Sequence, residues 1–329
     1  MDLVIRGKSL LLPALIPSIS SFETQIIPES AFDLQAALSE PITLVSAYDI
    51  HLEPSLIAKV AQFRSEGKIV FMDSGGYEAS RIRRYAKNDD RWNFSKFKDC
   101  VQSCETELVA SFDFFMRANQ SFTDYEMEFL SFIQDHDFID SDSLIPVIHL
   151  LDYDGTYLFS QDEIVAICNR IASEFSPLFI AIPERELGEG MKQKINTVTA
   201  ICDALTASRR STKLHILGCG NPLSFALLCA AGASMADGLE WCRTLVGPDF
   251  KLHHFQQAEL FDEPESKIYN PTVDVIRNAS VDYKIRTLTR NLYALQQFNT
   301  EVANLLLVGH LPDFIEENFG VKAAQLVKR

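Results

Sequence analysis

The sequence predicts an α/β fold: a (β/α)₈ TIM barrel with a C-terminal helical extension. Three observations predict it. Eight short apolar runs of β type alternate with helical patterns along the chain. The runs recur roughly every thirty residues, the pace of a closed barrel. No Gly-x-Gly-x-x-Gly follows the first run, which argues against an open dinucleotide-binding sheet. The strands are expected at about Leu11–Ile16, Ile42–Ala47, Lys68–Met72, Glu107–Phe112, Leu144–His149, Leu178–Ile182, Lys213–Leu217 and Ala233–Ala236. Between them, Ser160-Gln-Asp-Glu163 reads as a capping box that opens a helix to Phe175. Asn221-Pro222 sets a capping residue ahead of a proline at the first helical position. Glu53–Phe63, Asp124–Asp137 and Met191–Leu205 carry apolar residues at helical spacing. After Arg243 the rhythm breaks. Lys251–Pro271 is polar and loop-like, a long helix is expected from Val281 to Leu307, and a short one near Pro312–Val327. The expected division is a catalytic barrel over residues 1–250 and, packed on it, a loop and helical extension over 251–329.

The chain has 329 residues, 47% of them apolar, enough for a sizeable core. Its 30 basic and 45 acidic side chains give a formal charge of −15. That argues against broad affinity for phosphate backbones and leaves room for a local basic track. Arg81-Ile-Arg-Arg84 and Arg209-Arg210 are candidates for phosphate contact, or simply solvated charge. Seven cysteines, at 100, 104, 168, 202, 219, 229 and 242, form no Cys-x-x-Cys pair. They read as reduced, mostly buried thiols of a cytoplasmic protein. The N-terminus lacks the layout of a signal peptide. The most apolar stretch, Ile216–Ala233, contains Asn221 and Pro222, so it reads as strand, turn and helix, and no membrane partner is expected.

Barrel chemistry gathers at the C-terminal ends of the strands. There the sequence sets Asp73-Ser-Gly-Gly-Tyr77 after strand three, Asp113 after strand four, and His149 with Asp152 and Asp154 at the end of strand five. Pro183-Glu-Arg-Glu-Leu-Gly-Glu189 follows strand six, Gly218-Cys-Gly220 strand seven, and Asp237 strand eight. A lone Asp after a strand is usually a cap or turn residue. Several carboxylates on one rim repel one another and are kept more readily for function than for stability. Gly75 and Gly76 let the backbone bend tightly and approach a flat ligand.

These residues carry a resemblance. Phe71-Met-Asp-Ser-Gly-Gly-Tyr77, His215-Ile-Leu-Gly-Cys-Gly-Asn-Pro222, Ala231-Gly-Ala-Ser-Met-Ala-Asp237 and Arg243 resemble, in that order, the tRNA-guanine transglycosylase superfamily. Pro13-Ala-Leu-Ile-Pro17, Gly188-Glu189 and Arg290-Asn-Leu-Tyr-Ala-Leu295 resemble its first strand, its sixth loop and a late helix, so the likeness spans residues 10–300. The resemblance implies a (β/α)₈ enzyme that removes guanine from a polynucleotide and installs a 7-deazaguanine without cutting the chain. It implies Asp237 as the nucleophile at the anomeric carbon and Asp73 as the residue that moves protons on the bases. It further implies Asp113 for base recognition, Tyr77 for stacking on the base, and Arg243 for the backbone. Ser74, Gly75, Gly76, His149, Glu184, Arg185 and Gly188 complete the expected substrate-binding set. The chemistry is coherent by itself: one carboxylate traps the oxocarbenium-like centre, a second carboxyl manages the proton, and two inversions restore the configuration. The target base must be unstacked into the pocket.

The sequence departs from the family pattern in three places. The Cys-x-Cys-x-x-Cys zinc ligands are absent, since no cysteine follows Cys242, and His253, His254 and His310 form no zinc motif. His149 stands where the family has Gln, Pro183-Glu184-Arg185 where it has Gly-Gly-Leu, and Glu78 where a Gln follows the double glycine. The overall charge is acidic. The missing zinc ligands and the acidic charge favour the branch that acts on DNA, and the pocket departures bear on which base is inserted. The alternatives are a tRNA-guanine transglycosylase of the queuosine or archaeosine type, a silent partner subunit, and an unrelated barrel hydrolase acting on a glycoside or nucleoside. The expected partners are nucleic acid, a free 7-deazaguanine base, and a second copy or partner subunit. No metal and no cofactor is expected.

Overall fold

The computed structural model describes residues 2–328 except 23–24, 80–91, 118, 152–155, 157–158, 210, 263 and 265–269, and for Tyr77 and Glu78 the backbone alone. The chain starts with an antiparallel hairpin, β1 (Asp2–Ile5) and β2 (Lys8–Leu11). Lys8 Nζ donates to the carbonyls of Arg64 (3.1 Å) and Lys68 (2.6 Å) and to the Glu107 carboxylate (2.8 Å). Glu107 also accepts from Arg64 Nε (2.8 Å) and from the Val70 amide (2.9 Å). These groups precede or begin barrel strands, so the hairpin closes the end of the barrel where the strands start.

Eight parallel strands follow: β3 (Ala14–Ile19), β4 (Ile42–Ser46), β5 (Ile69–Asp73), β6 (Leu108–Ala110), β7 (Leu144–Ile145), β8 (Phe179–Pro183), β9 (Lys213–Leu217) and β10 (Met235–Gly238). They pair in the order β7-β6-β5-β4-β3-β10-β9-β8. A parallel bridge between Val147 and Ala181 joins the two ends of that sheet. The fold is therefore the expected (β/α)₈ barrel, with helices between strands and more at the C-terminus. Ile16, Leu44, Phe71, Leu108, Ile145 and Met235 help fill the interior, and a larger apolar layer packs between strands and helices.

The element expectations hold with shifts that have physical causes. The first strand, expected over Leu11–Ile16, begins at Ala14 and runs to Ile19, because Leu11 pairs within the hairpin and Pro13 has no amide to donate. The fifth, expected to reach His149, ends at Ile145 because Pro146 interrupts the ladder. The eighth extends to Gly238, so Asp237 lies inside a strand, paired with Ile16, and not after it. The Ser160 capping box forms, and Asn221 caps the helix that starts at Pro222. Helices occupy Leu56–Ser65, Phe122–Gln134 and Met191–Ala207. The long helix spans Tyr283–Val308, and two short helices follow, Leu311–Phe319 and Val321–Ala324. All seven cysteines are free thiols, six of them buried. Among the described residues no helix is long and apolar enough to cross a membrane.

After the barrel, β11 (Thr244–Val246) and β12 (Leu252–His254) form a second hairpin, followed by a 3₁₀ turn over Phe255–Leu260. This region does not fit zinc: no cysteine follows Cys242. His254 Nδ1 instead accepts the Gln256 amide, and His253 packs on Phe261. The long helix holds the segment. Buried Arg290 donates to the carbonyls of Ala258 (3.2 Å) and Asp262 (2.7 Å), and Tyr283 Oη bridges Phe255 O (3.0 Å) and Ala258 N (3.2 Å). Removing the guanidinium strands those carbonyls. Arg290→Ala is expected to cost about 2–3 kcal/mol and to open residues near 258–262 to limited proteolysis. An unchanged melting temperature and cleavage pattern would show that Arg290 does not hold this segment.

Candidate active site

A cavity of 260 Å³ opens at the C-terminal ends of the strands. That is near the lower end of ligand pockets (roughly 300–1,000 Å³) and on the scale of one extruded base. Asp73, Ser74, Asp113 and His149 line one side; Glu184, Arg185, Asp237 and Arg243 line the other. The fold thus brings eight of the sequence-expected residues to one cavity. Gly75, Gly76 and Gly188 do not line it. Gly75 has φ +82°, and a Cβ there would lie 2.6 Å from Tyr48 Cβ. A Cβ on Gly76 would lie 1.7 Å from Asp113 Oδ2, so the second glycine is what lets Asp113 sit where it does. Gly188, at φ +139°, packs on Gln193. The Tyr77 backbone belongs to the turn Gly76–Ala79, and its side chain lies outside the described residues, as do Asp152, Asp154, Arg81–Arg84 and Arg210.

Asp237 is held from three sides. Its Oδ1 accepts from His215 Nε2 (2.8 Å) and from the Gly218 amide (3.2 Å), and its Oδ2 accepts from Ser18 Oγ (2.9 Å). Each donor comes from a neighbouring strand: Ser18 from β3, His215 from β9, and Gly218 just after it. Trp241 Nε1 donates to the Ser18 carbonyl (2.8 Å), and Asn291 of the long helix donates to the carbonyls of Trp241 (2.8 Å) and Thr244 (2.7 Å). The extension therefore braces the strand-eight loop that carries Arg243.

Asp73 ends β5 and accepts backbone bonds from the amides of Gly75, at 3.3 Å, and Ser74. Burial pushes its carboxyl up to about 7, and the negative charges of Asp113 and Asp237 push the same way. Asp73 therefore keeps its proton into the neutral range. Trp92 Nε1 holds the Asp73 loop through the Ser74 carbonyl (3.1 Å).

Asp113 accepts from Ser74 Oγ (3.1 Å) through Oδ2, and its Oδ1 lies 3.0 Å from His149 Nε2. His149 Nδ1 meets Glu186 Oε1 at 3.1 Å, and Glu186 Oε2 accepts the Leu150 amide at 2.7 Å. The imidazole stacks on Phe115, centroids 4.0 Å apart. Burial alone would lower the His149 pKa; the charge of Glu186 and the bonds to both carboxylates outweigh it and hold it at about 10. His149 is therefore an imidazolium with both nitrogens engaged by carboxylates. A Gln, which the resembled family has at this position, offers one donor and one acceptor, whereas His149 in that state offers two donors.

On the far wall Glu184 pairs with Lys194, and Glu240 sits against Gly220 and Gly238. Burial leads in raising the Glu240 carboxyl, assisted by Asp237 and Glu184 against the pull of its own amide and Arg243. The sequence sets His215 and Glu186 inside motifs without assigning either a role, and it singles out neither Ser18 nor Glu240. One signal was present for His215, a polar ring between Leu214 and Ile216 in an otherwise apolar strand. Ser18 is 219 residues from Asp237, and no local pattern joins them. No protein-family model matches the chain, and no curated protein matches it.

Proposed function

We propose that this chain exchanges a guanine-type base in a polynucleotide for a 7-deazaguanine, through a covalent bond between Asp237 and the sugar. The observation that carries this reading is the contrast between two carboxyls in one cavity. Asp237 is met by three hydrogen-bond donors and offers acceptor oxygens, whereas Asp73 holds a proton near pH 7. A carboxyl fixed by three donors can serve as nucleophile beside one that keeps its proton as acid. Asp237 attacks the anomeric carbon, the glycosidic bond breaks with its electron pair going to the base, and Asp73 supplies the proton the departing base takes up. The incoming base gives that proton back as its nitrogen attacks the same carbon, and Asp237 leaves. Asp113, fixed by Ser74 and His149, accepts hydrogen bonds from the donor edge of guanine.

The order of the sequence motifs supports the same assignment. The acidic chain, and a C-terminal segment held by Arg290 where the tRNA enzymes use cysteine ligands, favour DNA over tRNA. The test is incubation with DNA and with tRNA followed by denaturing electrophoresis. A band of protein bound covalently to DNA, discharged by added guanine, is expected. Adduct with tRNA alone would reassign the polynucleotide, and none with either would remove the reading.

A further inference from the structure

His215 is buried inside the barrel, with Phe71 edge-on at 5.2 Å. Its Nε2 points at Asp237 Oδ1, and its Nδ1 is buried without a hydrogen-bond partner among the described residues. A proton on Nδ1 would be a stranded donor in an apolar interior, so the proton belongs on Nε2, where the carboxylate accepts it. The two oxygens of Asp237 are therefore unequal. Oδ1 takes His215 and the Gly218 amide, and Oδ2 takes Ser18 alone.

We propose that His215 is a positioning residue that assigns the two oxygens of Asp237, Oδ2 to attack the sugar and Oδ1 to remain the carbonyl oxygen, and that it speeds release of the covalent intermediate. The proposal rests on the base-exchange reading. When Oδ2 bonds to the anomeric carbon, the carboxylate loses its charge and the departing base takes the glycosidic electron pair. When the incoming base attacks, the Oδ2–carbon bond breaks and its electron pair returns to the carboxylate. A donor on Oδ1 bonds more strongly to the carboxylate than to the ester. It therefore restrains the nucleophile slightly and improves the leaving group. Loss of that donor should lengthen the life of the adduct, whereas simple damage to the site would reduce adduct altogether.

The experiment is a pulse-chase on the covalent complex with DNA or tRNA, whichever forms it, chased with excess guanine. In His215→Phe the adduct should still form and should persist about tenfold longer or more than in the wild type. His215→Gln, whose amide can reach Oδ1, should restore a lifetime near that of the wild type. An unchanged lifetime in His215→Phe, or a lengthened one that His215→Gln does not restore, overturns the proposal while leaving the base-exchange reading in place. Absence of any wild-type adduct overturns both. Nitrogen-15 spectra of the wild-type protein supply a check that needs no variant. They should show His215 with its proton on Nε2, and the Nδ1 tautomer would overturn the proposal.

Discussion

Asp237→Asn is expected to abolish the covalent protein–polynucleotide adduct and to lower base exchange by about 10⁴-fold or more, with the fold intact. The amide oxygen of Asn can still accept from His215 and Gly218, and its nitrogen can donate to Ser18, so the three contacts of Asp237 have replacements. What it lacks is an oxygen able to form a glycosyl ester. The loss should therefore appear as absent adduct at an ordinary melting temperature. Denaturing electrophoresis and thermal unfolding of the same preparation check both halves. Undiminished adduct in this variant would remove Asp237 as the nucleophile.

Asp73→Asn should act through the proton instead. General acid–base groups contribute about 10²–10⁴-fold, and a loss of that size is expected in exchange. The pH dependence gives a sharper signature. The Asp73 carboxyl is raised from 3.8 to about 7, so the protonated, acid-competent form declines as pH rises through 7. Wild-type exchange should fall above that point, and the descending limb should be absent in Asp73→Asn. Stability carries the opposite mark. A carboxyl raised by the fold contributes in full below its unfolded value of 3.8, and that contribution is lost as pH rises through about 7. Asp73→Asn escapes the loss. It should be more stable than the wild type at pH 8 by about 2 kcal/mol, less than the full shift because Asp73 lines an open cavity. The difference should close toward pH 4. Denaturant unfolding at the two pH values tests this, and equal stabilities at pH 8 would mean that Asp73 is not held protonated.

The strands were legible because each carries its own apolar run, and Ile42–Ser46, Ile69–Asp73 and Lys213–Leu217 fall almost where their residues indicate. Errors came where one residue changes the hydrogen-bond ladder. Pro13 and Pro146 lack amides, and Asp237-Gly238 looks like a turn until β3 pairs with it. The site divides in the same way. Asp73 ends β5, Asp113 follows β6 and Asp237 lies near the end of β10, each at a place the sequence marks. The roles of their partners are not marked, because Ser18, His215 and Glu186 become partners only when the ring closes and brings neighbouring strands together. His149 shows the limit most clearly. Its position was legible, but its charge depends on Glu186, which is 37 residues away and fully buried.

The central claim is base exchange without strand scission, and labelled guanine tests it most directly. The protein is incubated with radiolabelled guanine and, in parallel, with double-stranded DNA and with tRNA, and the polynucleotide is then isolated at full length. The account predicts label in the intact polymer, DNA above tRNA, and none with Asp237→Asn. Label in neither polymer, or release of base with broken or abasic strands, would contradict it.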